Sequence, residues 1–224
     1  MERVDRAAEK LARLKKSDAE RKVFGAAFHK YTLNPTLTEE TVVTFEREHG
    51  VRLPEEYRLY LLRVANGGAG PFYGLLALED NDDITVHMSA PFPLTADRPF
   101  VMPELYEEIG ARAGGMDEAE EFRERMLEEH FTKVNSGVTY LAHEGCGMYS
   151  VLAVKGAEYG NVWYVDLAND AGAFPLVDPK SGKSLDFLSW FELWLDAALS
   201  MMEEGGRELE GYSYFIPESA AARL

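Results

Sequence analysis

The chain has 224 residues, 46% hydrophobic and 12% aromatic, enough to build a real core in one large domain, or one domain with appendages, which excludes wholesale disorder. A single cysteine excludes an intramolecular disulfide framework, and no uninterrupted apolar run approaches the roughly 18 residues of a membrane span. The formal charge of −16 is uneven: residues 1–30 hold nine basic and five acidic side chains, a net of +4, and the remainder holds 14 and 34, a net of −20, so the main body repels phosphate backbones and attracts basic proteins.

The start, Met1-Glu2-Arg3-Val4-Asp5-Arg6, is charged and leads into no apolar signal core, so a reducing, cytoplasmic compartment is expected. Val4, Ala7, Ala8, Leu11 and Leu14 recur at three- and four-residue steps and predict a helix over 4–16. Ser17-Asp18 ends it or caps a second helix containing Val23, Ala27 and Tyr31, which Asn34-Pro35 breaks. Thr38 reads as an N-cap, with Glu39 and Glu40 in the first turn where the helix dipole favours anions. Val42, Val43 and Phe45 give that helix its apolar side, and Gly50 stops it after His49. A further helix opens at Leu53-Pro54-Glu55-Glu56-Tyr57, presents Tyr57, Tyr60, Leu61 and Val64 on one face, and ends at Asn66-Gly67-Gly68.

Residues 72–78 read as a strand and Asp80-Asn81-Asp82-Asp83 as an exposed turn. Four prolines, Pro91, Pro93, Pro99 and Pro103, make 89–103 irregular. Residues 104–131 are helical and strongly acidic, split by Gly114-Gly115, with Phe122, Met126, Leu127 and Phe131 spacing the second part. From 138 the chain turns to short β-branched and aromatic runs at 138–141, 148–154 and 161–167, punctuated by glycines, as antiparallel strands with tight turns require. Phe187, Phe191, Trp194, Leu195, Ala198 and Met202 form the stripe of a closing helix capped by Asp186 or Ser184. Tyr212, Tyr214, Phe215 and Ile216 in the tail suggest a segment that docks back on the body. Helices, then strands, then a helix give an α+β fold: a mostly antiparallel sheet with helices packed on one side.

Leu53-Pro54-Glu55-Glu56-Tyr57, then Leu61-Leu62, then Asn66-Gly67-Gly68, resembles the signature of the SMI1/KNR4 family of the SUKH superfamily. The blocks around Ser150–Gly156, Gly160-Asn161-Val162-Trp163-Tyr164 and Phe187-Leu188-Ser189-Trp190-Phe191 are similar to its later blocks and stand in its order. The resemblance implies an SMI1/KNR4-like domain over 37–203. It would carry a helical N-terminal extension at 1–36, a Pro-rich then acidic insertion at about 80–135, and a tail at 204–224. The motif residues Pro54, Tyr57, Asn66, Gly67, Gly68, Gly156, Gly160 and Trp163 read as structural: proline fixes a helix entry, tyrosine packs with one polar tip, and Asn and Gly reverse the chain. The alternative for Asn66-Gly67-Gly68 is a ligand cradle.

What the resemblance implies is binding rather than catalysis. Many bacterial relatives look like immunity proteins that neutralise toxins, often nucleases, and the yeast members are linked to glucan synthesis and signalling. Asp82, Asp83, Glu118, Glu120, Glu121 and Glu124 then become the expected surface for a basic partner, against the plainer reading of a solvated helix face. His143-Glu144-Gly145-Cys146 is the one cluster with nucleophilic or metal-binding residue types, but it shows no third orienting group and no second Cys/His pair, and it reads as a loop or strand edge with a small buried thiol. No catalytic, cofactor-binding or metal-ligating residue is assigned, and no nucleic acid or membrane is expected as a partner. The expected function is toxin neutralisation by direct protein binding. A regulatory scaffold of the glucan-synthesis type is the second reading, and an enzyme using His143 and Cys146 the third.

Overall fold

The computed structural model describes residues 2–81, 87–112 and 116–204, with the side chains of 112–119 outside that description. Five strands form one antiparallel sheet in the order β1-β5-β4-β3-β2: β1 Phe100–Val101, β2 Val138–Gly145, β3 Met148–Ala153, β4 Val162–Asp166 and β5 Gly172–Pro175. Strands β2 to β4 fall where the β-branched runs predict them, while β1 is added from a stretch read as irregular and β5 from one given no element.

Side-chain alternation divides the sheet cleanly. Leu152, Val162, Tyr164 and Phe174 enter one core; Val151, Trp163, Val165 and Ala173 enter a second core on the opposite face. Between Tyr140 and Ala142 the register of β2 shifts by a bulge, which turns both Leu141 and Ala142 toward the first core.

The first core is covered by helices α1 Glu2–Ser17, α3 Glu39–His49, α4 Glu55–Arg63 and α7 Phe187–Glu203. Helix α7 buries Phe187, Leu188, Trp190, Phe191, Trp194, Leu195 and Ala198, wider than the single stripe of the sequence reading, because it packs against both α1 and α4 and shares the first core with the sheet. Val4, Ala7, Leu11 and Leu14 bury the inner face of α1, and the three larger side chains contribute roughly 5 kcal/mol or more. Polar contacts flank that seam. Arg3 donates to Asp186 at 2.9 and 3.1 Å, Arg6 to Glu192 at 2.7 and 2.8 Å, and Lys10 to Glu192 at 2.9 Å. The cationic N-terminal stretch is thus matched to carboxylates of α7.

Helices on one side describe this layer, but the other face is covered too. Met102, Leu105 and Ile109 of α5 (Met102–Arg112) and Val134 of α6 (Met116–Val134) pack there with Phe92 and Phe100. The irregular segment reaches the sheet because Phe92 N–H donates to the Lys155 carbonyl at 3.0 Å. A Cβ at Gly156, where φ is +102°, would lie 2.7 Å from the Phe92 oxygen, so glycine is required.

Several local expectations change. Residues 18–31 do not form a second full helix. The Asp18 carboxylate accepts from Lys22 N, Val23 N and Tyr31 Oη, holding a turn that leaves only α2, Ala26–His29. Residues 72–78 are not a strand; they pass through isolated bridges Gly68↔Leu75 and Leu75↔Ala142 into a 3₁₀ turn, Leu78–Asn81. Val43 and Phe131 face solvent at 45% and 59% exposure, and Val64 is only half-buried. The Thr38 cap, the Gly50 stop and the Asp186 cap are as read: Thr38 Oγ accepts from Thr41 N, Gly50 has φ +62°, and Asp186 accepts from Ser189 N. The Gly114-Gly115 break and the tail from 205 lie outside the described residues.

Candidate functional site

The motif loop is built from backbone closure. Asn66 is buried; its Oδ1 accepts from Leu78 N at 2.9 Å and its Nδ2 donates to Glu79 at 2.6 Å. Asn34 N donates to the Gly67 carbonyl, and Gly68 and Leu75 exchange both backbone bonds at 2.8 and 2.7 Å. A Cβ on Gly68 (φ +98°) would lie 2.4 Å from the Thr32 oxygen. The Gly68 amide is therefore spent on the fold and offers no donor to an anion.

Pro54 stands at the N-cap of α4, its carbonyl accepting from Arg58 N. Tyr57 packs edge-on against Phe187 with ring centroids 4.9 Å apart, and its hydroxyl finds no hydrogen-bond partner among the described residues. The polar tip expected of it is thus unused, and burial pushes its pKa up. Trp163 is fully buried against Phe92, with centroids 5.0 Å apart, and Gly160 turns the chain between β3 and β4 at φ +90°.

On α6, Glu120, Glu121 and Glu124 are exposed, as are Glu128 and Glu129. The basic residues nearby are used elsewhere: Arg123 lies over the Tyr106 ring, Arg125 over Phe122, and Lys133 pairs with Glu129 at 2.7 Å. No ion pair joins Glu120, Glu121, Glu124 or Glu128 among the described residues. Asp82, Asp83 and the Glu118 side chain lie outside that description.

His143 and Cys146 sit at the β2–β3 hairpin, where Cys146 is exposed rather than a buried thiol, because it occupies the turn itself. Cys146 and Gly147 form its two-residue turn with φ +48° and +79°, the positive angles that such hairpins demand. The Cys146 carbonyl accepts from Asn169, while His143 stacks on Tyr73 at 5.9 Å and leans on Tyr149 at 4.9 Å. The imidazole is therefore part of an aromatic row rather than a base held by an acid. Beside it Glu144 is 2% exposed and accepts from Ser150 Oγ at 2.5 Å; burial pushes its pKa up to about 8, Ser150 opposing and Asp166 reinforcing the shift. No group of three or more His, Cys, Asp or Glu side chains is arranged to hold a metal ion among the described residues. No helix among them is long and apolar enough to cross a membrane.

The sequence reading missed a cleft of about 320 Å³ between α2, the motif loop and the 3₁₀ turn. Phe28 stands at its mouth, 71% exposed, with the Tyr73 ring edge-on at 4.8 Å. His29, Thr32, Leu75 and Asp80 also line it. His29 Nδ1 accepts from Tyr31 N, which leaves the proton on Nε2, and burial lowers its pKa to about 4. The missed signal was Phe28 itself, which falls off the apolar spacing read for this segment.

A family model described as SMI1 / KNR4 family (SUKH-1) matches residues 36–179. The match takes in α3 to α6 and the whole sheet and leaves α1, α2 and α7 outside. No curated protein and no solved structure matches the chain.

Proposed function

The chain belongs to the SMI1/KNR4 (SUKH-1) family, and from that premise we propose that it acts by binding a second protein and carries out no chemistry of its own. The more specific reading is an immunity-type protein that neutralises a cognate toxin, a basic nuclease being the natural candidate, by covering its active surface. The exposed carboxylates Glu120, Glu121 and Glu124, unpaired among the described residues in a chain of net charge −16, are the observation that carries it. A surface built to hold phosphate must be cationic, and an acidic face steers toward it, raising the association rate at low salt. Asp82, Asp83 and Glu118 are proposed to extend the same face.

The test is kinetic. Glu120→Lys, Glu121→Lys and Glu124→Lys are combined, and association with the product of a neighbouring toxin gene is measured at low and high ionic strength. The reading expects an on-rate reduced at least tenfold at low salt and nearly unchanged at high salt. An on-rate equal to that of the parent chain at low salt would sink it. Co-purification with signalling or wall-synthesis proteins in place of a toxin would favour the regulatory scaffold.

A further inference from the structure

The cleft beside Asn66-Gly67-Gly68 combines features that no structural requirement explains together. A large aromatic ring, Phe28, is left in solvent on a single helical turn. Its neighbour Tyr73 is held from three directions: Phe28 at 4.8 Å, Phe24 at 5.4 Å and His143 at 5.9 Å. Asp80 also lines the cleft; its exposed carboxylate accepts one hydrogen bond, from Ala77 N–H to Oδ2 at 2.9 Å, and no cation pairs with it among the described residues. The backbone of Gly68 is already engaged with Leu75, so the glycine loop offers no amide to a phosphate.

We infer that this cleft receives the guanidinium of an arginine side chain presented by a basic protein partner. The inference rests on the protein-binding reading above and gives that partner a chemical anchor. A guanidinium is planar, weakly hydrated and always charged. It stacks on aromatic rings and pairs with carboxylates, and Phe28, Tyr73 and Asp80 supply both kinds of group in the lining of one cleft. His29 adds no competing charge, since burial keeps it neutral at pH 7. The long-range field of a −16 chain brings such a partner in; an arginine seated against the aromatic rings of the cleft then holds it, as interface anchors do. Phe28 and His29 precede the residues that the family model matches, whereas Gly68, Tyr73 and Asp80 lie within them. The cleft therefore forms where the N-terminal extension meets the family loop, which would make the anchor a property of this chain.

The probe is Nα-acetyl-arginine amide, titrated into the 15N-labelled full chain at constant ionic strength. Saturable amide shifts are expected at Gly68, Tyr73 and Ala77, with at least fivefold weaker binding of the citrulline and lysine amides. Asp80→Asn keeps an oxygen for Ala77 N–H and Phe28→Ala alters an exposed side chain, so both variants fold; each should weaken the arginine amide at least fivefold. Equal shifts from citrulline amide, or an Asp80→Asn variant that binds as the parent does, overturn the assignment. The lysine-substituted α6 variant separates the two proposals. If it loses partner association while the arginine amide fails to bind the parent chain, the cleft is wrong and the protein-binding reading stands. If the amide binds in the cleft but neither the α6 variant nor Asp80→Asn affects partner association, the cleft's ligand chemistry is right and its assigned use in partner binding is overturned.

Discussion

The side-chain amide of Asn81 pairs with the backbone of Tyr140 as a strand residue would, accepting from Tyr140 N at 2.6 Å and donating to Tyr140 O at 3.3 Å. Strand β2 is the edge of the sheet, and an open edge is a template for pairing with other chains. Asn81 closes it at one residue, and Leu76 N closes it at the next by donating to the Leu141 carbonyl at 2.8 Å. Asn81 is fully buried, so Asn81→Ala strands two buried backbone groups at about 1–3 kcal/mol each. The variant is expected to lose about 2–4 kcal/mol in urea unfolding, with faster hydrogen exchange at the Tyr140 amide. Unchanged exchange at Tyr140 would show that the edge is held by other means.

Such a residue is hard to read in advance. Asp80-Asn81-Asp82-Asp83 has the composition of a solvated turn, and nothing local distinguishes the one amide that meets a strand 59 positions later. What was legible rests on local physics. Thr38 and Asp186 cap their helices through bonds three residues long, and Gly147 supplies a positive φ to the β2–β3 turn. The acidic run on α6 was legible too, because exposed charge needs no tertiary partner. Residues 72–78 failed because an apolar run suggests an extended chain but not whether it has a strand to pair along. Residues 18–31 failed because the Asp18 carboxylate, bonded to Tyr31 Oη at 2.7 Å, overrides the helical spacing. The cleft at Phe28 was invisible for the same reason: its walls come from three separate segments.

The motif loop separates two costs of a side chain. At Gly68 a Cβ meets both a positive φ and the Thr32 oxygen at 2.4 Å, whereas at Gly182 the φ is +68° and nothing lies within 4 Å. Gly182→Ala should therefore cost about 1 kcal/mol, the left-handed backbone alone. Gly68→Ala should cost about 3 kcal/mol or more, since the strap through Thr32 and Leu75 must also move. Chemical denaturation of both variants checks the order, and equal losses would sink the close-approach argument.

Asp186 does two things at once: it caps α7 through Ser189 N at 2.7 Å and pairs with Arg3 of α1. The cap is local and short, worth about 1 kcal/mol, while a half-exposed ion pair is worth less and is screened by salt. Asp186→Asn keeps a capping oxygen and loses the charge, so it should cost under about 1 kcal/mol and less than Arg3→Ala, which also loses the bonds to Glu56 and Ser189 Oγ. Asp186→Ala should cost more than either, by an amount that does not fall when salt is raised. A double-mutant cycle of Arg3 and Asp186 at two ionic strengths reads the pair alone.

Two buried carboxylates should give the stability curve opposite slopes. At Glu192 burial raises the pKa, but bonds from Arg6 and Lys10 outweigh it and the net shift is down. Its contribution is present above the usual carboxylate range and is lost as the pH falls through it. Glu144 is the reverse case. Burial lifts its pKa to about 8, against an ordinary 4.5, so the folded state keeps a proton that the unfolded chain has released. Between these values the folded state binds more protons, and stability falls as the pH rises, by up to about 1.4 kcal/mol per unit. Glu144→Gln retains an oxygen for the Ser150 hydroxyl at the same place and cannot ionise. The variant should match the parent near pH 4.5 and exceed it increasingly up to pH 8. Melting temperatures of the two chains at half-unit steps would reveal this. A constant gap across the range would mean that Glu144 is already ionised in the folded protein and that its burial is compensated by charge.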